Sequence, residues 1–277
     1  MKNAMQLKAL VRNKAAKWGI SAQLVLQNLM LERLLERVSR TRYREHFILK
    51  GGFLLSSIMG LHSRTTMDMD ATLKGMPLTR EALHEMFSEV CAVDLGDDIA
   101  LEFLNIGEIR EDDEYAGYRV SVCAHFPPLA VPLKLDITTG DAITPGAVEF
   151  QYRLMMEERS ISVMAYNAET LLAEKLETIV SRGTLNTRPR DFYDVYALMK
   201  CRGDTINRAL LADALAATAA HRGTAKVMEQ HASVVDAVSQ SDVMQQRWLE
   251  YSREFGYARD IPFADVCAAV RHFLGES

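Results

Sequence analysis

The stretch FILKGGFLLSSIMGLHSRTTMDMDATL, Phe47 to Leu73, constrains the fold more than any other part of the chain. A short apolar run, Phe47 to Leu49, leads into Lys50-Gly51-Gly52. An apolar segment from Gly52 to about Met59 has helical character, and Gly60 closes it. The polar loop His62-Ser63-Arg64-Thr65 follows, and then a predicted strand, Thr66–Leu73, with two carboxylates two residues apart. Strand neighbours at i and i+2 point the same way. Asp68 and Asp70 are therefore expected to share a face with Thr66 and Thr72, with Met67, Met69, Ala71 and Leu73 on the other. Adjacent carboxylates repel, and a divalent cation is the usual remedy. A glycine turn lets backbone N–H groups approach a phosphate. The helix start behind it adds free N–H groups and the positive end of a dipole. Asp-x-Asp alone also suits a hairpin strand with two solvated acids. The Gly-Gly turn upstream favours a metal-and-phosphate site, and Arg64 is placed to reach a phosphate.

A chain of 277 residues can bury a substantial core as one large domain or two packed ones. Its hydrophobic content of 48% and charged content of 25% are those of a soluble globular protein. No apolar run is long enough to span a bilayer, and the N-terminus lacks the apolar segment of a secretory leader. Cys91, Cys123, Cys201 and Cys267 are scattered, which suits reduced thiols in a cytoplasmic protein. The net charge of −5 hides an asymmetry. Residues 1–50 hold 11 Lys/Arg against 3 Asp/Glu, and residues 91–115 hold 9 Asp/Glu against 1 Arg. A basic N-terminal quarter fits an anionic partner such as RNA or NTP phosphates, and equally fits a solvated helix face.

Two helices are predicted before the central stretch. The first covers residues 3–18, with Leu7, Leu10, Val11, Ala15 and Trp18 at helical spacing. Ser21 caps the second, Ala22 to about Val38, along which Arg33, Arg37 and Arg40 lie, with Arg42 and Arg44 beyond it. After the central stretch, Thr79 caps a helix to about Cys91. Strands follow near Ala100–Ile109 and Tyr118–His125, with Glu111-Asp112-Asp113-Glu114 as an exposed connection between them. Pro127-Pro128 breaks the chain, and Val131–Thr138 alternates as a strand. Val131, Leu133, Leu135 and Ile137 face one way; Lys134, Asp136 and Thr138 face the other. Laid beside Thr66–Leu73, this strand makes Asp136 a third carboxylate; otherwise Asp136 is an ordinary outward acid. The organisation expected is a mixed α/β domain over 1–160 and a helical domain over 161–277.

Two polar residues interrupt the apolar stripes of that helical part. In the helix Ala168 to Arg182, Lys175 falls among Leu171, Leu172, Leu176 and Ile179, whereas Glu174 and Glu177 fall outside the stripe. A lysine there either snorkels to water or meets an anion, a nucleotide phosphate or Asp191. Asp191 opens the next helix after Arg188-Pro189-Arg190. It projects with Val195 and Leu198, while Asp194 sits at the stripe's edge. A first-turn capping role and a catalytic role are both open for Asp191. No zinc spacing and no G-x-S-x-G elbow occurs. Ser56-Ser57 near His62 is a polar helix face and loop, not a nucleophile with its base.

Taken together, these motifs resemble the AbiEii/AbiGii toxin family, nucleotidyltransferases of the polymerase-β superfamily. They are Lys50-Gly51-Gly52, Arg64-Thr65-Thr66-x-Asp68-x-Asp70, Leu135-Asp136, Ala173-Glu174-Lys175-Leu176 and Arg190-Asp191-x-x-Asp194. The resemblance extends from Ser21-Ala22-Gln23 and Glu32-Arg33 to Trp248-x-x-Tyr251. It implies an α+β fold: a polymerase-β-like core of mixed sheet and flanking helices, N-terminal helices, and a C-terminal helical domain completing the active-site cleft. Where the superfamily commonly has Gly-Ser, this chain has Gly51-Gly52, as AbiEii-like sequences usually do, so a serine contact to phosphate is absent.

The resemblance further implies a type IV toxin–antitoxin or abortive-infection (phage defence) component, paired with an AbiEi-like regulator as antitoxin. The implied reaction transfers a nucleotide from an NTP to RNA, with tRNA 3′ ends as acceptor class. Asp68, Asp70 and Asp136 would hold Mg²⁺ (or Mn²⁺), Asp136 alternatively taking the acceptor proton. Lys50, Gly51, Gly52, Arg64 and Thr65 would bind the nucleotide. Lys175 would pair with the triphosphate, and Asp191 and Asp194 would position Lys175 or touch the nucleotide. Transfer to a small molecule or protein is the alternative enzyme reading. A nucleotide-binding module without turnover is the alternative outside catalysis.

Overall fold

The structure is a computed structural model, and it describes residues 4–109 and 117–275. The expected acidic connection, Glu111 to Glu114, lies outside the described residues. Helix α1 (Ala4–Trp18) buries Leu7, Val11 and Ala15. Ser21 caps α2 (Ala22–Ser39), its hydroxyl accepting from the Leu24 amide at 3.1 Å. Next come β1 (Phe47–Lys50), α3 (Gly51–Met59), β2 (Met69–Leu73), α4 (Arg80–Ala92), β3 (Ala100–Glu108), β4 (Tyr118–Phe126) and β5 (Leu129–Thr139). A hairpin of β6 (Val148–Arg153) and β7 (Ser160–Ala165) completes the strands.

These strands form one seven-stranded sheet in the order β3-β4-β5-β2-β1-β7-β6. β5 and β2 run parallel, as do β1 and β7, while the other neighbours are antiparallel. Alternation along β5 comes out as read: Val131, Leu133, Leu135 and Ile137 are buried. Full burial of such side chains contributes about 1.5–3 kcal/mol each. The β6–β7 hairpin was not singled out from sequence; β7 alternates in burial, but β6 does not.

The described chain divides into two compact units. One holds the residues up to Gly140 with Val148–Ala165, and so carries the whole sheet. The other holds Asp141–Ala147 and the residues from Tyr166 onward. Its helices are α5 (Ala168–Arg182), α6 (Pro189–Arg202), α7 (Arg208–Arg222), α8 (Ala225–Met228), α9 (His231–Gln240), α10 (Asp242–Glu254) and α11 (Phe263–Leu274). The architecture is α+β, a mixed sheet with flanking helices and a separate helical unit. No helix among the described residues is long and apolar enough to cross a membrane. The four cysteines are free, and burial pushes Cys267 up to about 12.

Helix α2 overturns one expectation. Arg33 and Arg37 are buried, at 2% and 1% exposure, and do not offer a basic face to an RNA backbone. Arg37 holds Asp97 at 2.9 Å and donates to the carbonyls of Val93 and Ile99. Arg33 holds Glu36 at 3.1 Å and Glu157 at 2.5 Å. Arg42 pairs with Glu85 and Arg44 with Glu149, both at the surface. The arginines are spent on acids brought in from distant segments, which sequence spacing does not reveal. The exposed cations left in this region include Lys8, Arg12 and Lys17 on α1.

Glu32 belongs to the same buried network, accepting from the Met155 amide at 2.6 Å and lying 3.2 Å from Arg33. Burial pushes its carboxyl up to about 7, against the pull of the Met155 N–H and Arg33. The folded protein thus keeps a proton that the unfolded chain, at 4.5, gives up. A raised carboxyl of this kind costs nothing below the unfolded value. The cost grows as pH rises through the window and is complete above about 7. The stability difference between Glu32→Gln and wild type, from urea melts, is expected to move by about 3 kcal/mol in the variant's favour between acid and neutral pH. A pH-independent difference would contradict it.

Candidate active site

β1 ends at Lys50 and α3 begins at Gly51, which has φ +63°. A Cβ at Gly51 would lie 2.1 Å from Asp70 Oδ2, so only glycine fits the turn and the carboxylate together. The Gly52 amide donates to the same Oδ2 at 3.3 Å. One of the helix-start N–H groups expected to meet a phosphate therefore faces Asp70 here. A Cβ at Gly52 would stand 3.2 Å from both Arg64 Nη2 and Thr66 Oγ1. Arg64 is 2% exposed and donates to the Thr65 carbonyl. It packs beneath the glycine turn, while Thr65 is part-exposed in the loop above.

The loop into β2 is shaped by α2. Asn28 Nδ2 donates to the Thr66 carbonyl at 2.8 Å, and Gln27 Nε2 donates to those of Met67 at 3.2 Å and Pro132 at 2.9 Å. With two carbonyls taken by side chains, the ladder starts at Met69, not at Thr66 as the alternation suggested. Asp68 thus precedes the strand and Asp70 lies within it.

Pairing then lines up one row of charges across four strands. Lys50 is opposite Asp70, Asp70 beside Asp136, and Asp136 opposite Arg119. Lys50 is buried, and its ammonium donates to Thr138 Oγ1 at 2.8 Å, two residues along from Asp136. Arg119 grips Asp136 with both prongs, Nε to Oδ1 and Nη2 to Oδ2, each at 2.7 Å. Partial desolvation, then the charges of Asp136 and Asp70, raise Asp68 above the ordinary aspartate value, while Lys134 and Arg119 pull it down. The sheet thus brings Asp68, Asp70 and Asp136 to one face, with Lys50 at one end. Arg119 was missed by the sequence reading; it is a single arginine in an alternating strand, and only the register of β4 on β5 gives it a partner.

Three carboxylates on one face are hard oxygen donors of the kind Mg²⁺ or Mn²⁺ takes, and their mutual crowding on Asp68 is what a cation would relieve. The residue types and their row fit such an ion. As the side chains stand, no group of three or more His, Cys, Asp or Glu among the described residues is gathered to hold one. Both oxygens of Asp136 are engaged by Arg119.

In the helical unit, Lys175 reaches Asp191 Oδ1 at 2.5 Å and Asp194 Oδ2 at 3.2 Å. Both aspartate side chains are fully buried and the lysine side chain is 12% exposed. Arg188 adds its Nε at 2.9 Å from Asp191 Oδ2. Of the anions open to Lys175, the structure supplies Asp191, and adds Asp194. Glu177, outside the apolar stripe, is nevertheless buried; Arg222 pairs with it and Thr224 donates to it at 2.8 Å. Aromatic packing fixes α6: Phe192 against Phe263 at 5.9 Å, and Tyr193 against Tyr257 at 4.7 Å. Ser56 and Ser57 donate to carbonyls of their own helix, as befits a polar face.

Lys175→Ala is expected to lower stability in urea melts by about 3 kcal/mol, because it strips the ammonium from two buried carboxylates. Gly51→Ala is expected to lose about 1–3 kcal/mol, and more than Gly19→Ala. Gly19 shares the positive φ, but a Cβ there meets nothing within 4 Å, so the difference isolates the crowding at Asp70.

With this geometry in view, comparison with known proteins is informative. MenT4, a nucleotidyltransferase toxin from Mycobacterium tuberculosis, superposes with a TM-score of 0.56 at 16% identity, covering 98% of this chain and 99% of that one. A candidate nucleotidyltransferase from H. pylori superposes with a TM-score of 0.51 at 16% identity, covering 92% of this chain and 96% of that one. At such identity the likeness concerns the fold. No curated relative matches the sequence. The family model for the nucleotidyl transferase AbiEii toxin of type IV toxin–antitoxin systems matches residues 33–272, spanning the glycine turn, the carboxylate row and Lys175 with its aspartates. The chain belongs to the AbiEii nucleotidyltransferase toxin family.

Proposed function

We propose that the protein transfers a nucleotide from an NTP to an RNA acceptor, the 3′ end of tRNA being the acceptor class, in a reaction needing Mg²⁺ or Mn²⁺. The observation that carries this is the register placing Asp70 beside Asp136, with Asp68 two residues away and the Gly51 turn against Asp70. Asp68, Asp70 and Asp136 would hold the divalent cation, which would supply charge neutralisation on the triphosphate. The chain's own residues do the rest. Gly51 and Gly52 present backbone N–H groups at the start of α3, and Lys50 and Thr65 add polar contacts to the nucleotide. Arg64, buried under the turn, contributes positive potential there. Asp136 either helps hold that cation or takes the proton from the acceptor hydroxyl, which attacks the α-phosphorus as pyrophosphate leaves. In the helical unit, Asp191 and Asp194 hold the Lys175 ammonium in position.

Membership of a type IV toxin–antitoxin family supports the toxin role and implies an antitoxin partner. Support for RNA is narrower than the N-terminal charge suggested, because Arg33, Arg37, Arg42 and Arg44 are committed to acids. That commitment favours one second reading, a small-molecule or protein acceptor.

Incubation with labelled NTPs, Mg²⁺ and total RNA separates the readings. Wild type is expected to label RNA, and Asp70→Ala to lower the rate by roughly 100-fold or more. If wild type labels RNA no better than Asp70→Ala, RNA transfer is wrong. Mass spectrometry of any other labelled product then identifies the acceptor.

A further inference from the structure

We propose that Arg119 is a gating counter-ion: it holds Asp136 away from a free divalent cation until an anionic substrate draws the guanidinium off. This rests on the metal-dependent reading above and concerns how that metal site is regulated.

The row Lys50–Asp70–Asp136–Arg119 alternates as one cation, two anions and one cation. Its inner pair sits on adjacent strands, where spacing is about 4.8 Å and like charges repel. The two ends are built differently. Lys50 is buried, and its amine is held by Thr138, so it is a fixed part of the sheet. Arg119 has a side chain 45% exposed, on an acid 24% exposed, so this end of the row lies at the water boundary. How it holds Asp136 decides its role. A carboxylate's two oxygens carry about four lone-pair sites, and a single donor on one oxygen leaves most of them open to an ion. Arg119 takes both, Nε on Oδ1 and Nη2 on Oδ2, in the planar fork that matches a carboxylate. An ion that binds Asp136 must displace this fork or bear a positive charge against itself.

The same fork matches phosphate. A triphosphate arriving with its own cation offers Arg119 a new partner as it offers Asp136 a metal, so both exchanges proceed together. Free metal has no such compensation. Cation loading is therefore coupled to substrate, and Arg119 acts as a positioning residue through Asp136.

Mn²⁺ binding to the full chain, followed by loss of the free-ion electron paramagnetic resonance signal, tests this without turnover. The probe is Mn²⁺ alone, without nucleotide. Arg119→Gln is expected to bind Mn²⁺ about tenfold more tightly than wild type, because it removes a positive charge beside the ion. Arg119→Lys, whose single ammonium cannot bridge both oxygens, is expected to fall between. In an Asp136→Asn background, Arg119→Gln is expected to change nothing, since the effect runs through that carboxylate. Unchanged or weaker binding by Arg119→Gln would make Arg119 an orienting or neutral residue and overturn the gate, while leaving the metal-dependent reading intact. Failure of wild type and variants alike to bind Mn²⁺, with folding shown by circular dichroism, would overturn both.

Discussion

The parallel pairing of β2 on β5 sets two aspartates side by side, and the arrangement around them answers that repulsion. Asp70 and Asp136 share one register position. Lys50 closes one end of the row and Arg119 the other. Gly51 is glycine because Asp70 fills the space a side chain would need. The strand's start lies against α2, whose Gln27 and Asn28 take the carbonyls of Met67 and Thr66 just before β2. A helix used in this way is buried on nearly every side, and its charges must be paired there. Glu32, Arg33, Glu36 and Arg37 are the consequence, with Asp97, Glu157 and Arg159 as partners from elsewhere. A site built from like charges thus imposes polar order on the helix behind it.

The helical unit meets an analogous problem in the same way, with two acids sharing a cation. Asp191 and Asp194, one turn apart on α6, are both wholly buried and share Lys175 from α5. Removing one member of such a buried set costs more than the intact set contributes to stability. The aromatic packing of Phe192 and Tyr193 holds α6, and with it the two acids. The AbiEii family match spans this cluster and the carboxylate row alike.

Much of this was legible in the order of residues. Caps at Ser21 and Thr79, the strand Phe47–Lys50 and the alternation of Val131 to Ile137 are local patterns, and local patterns survive folding. The odd placement of Lys175 and Asp191 on apolar stripes was visible for the same reason, since helical phase depends only on spacing. What was misjudged depended on distant partners. Arg33 and Arg37 looked like a basic face because their acids lie far along the chain, at Glu157 and Asp97. Thr66–Asp68 looked like strand because nothing in the alternation reveals that two amide side chains will claim its carbonyls.

The sequence by itself determined the chemistry available: a glycine turn, three aspartates, and a lysine that needs an anion. Helical phase and strand alternation are set by covalent geometry and by the exclusion of apolar groups from water, and both act on neighbouring residues. Only the tertiary structure decided how those groups are shared. It put Asp136 beside Asp70, gave both its oxygens to Arg119, and turned the arginines of α2 inward. Charge pairing acts across the few ångströms between strands, and which strands become neighbours is settled by long-range pairing that spacing along the chain does not encode.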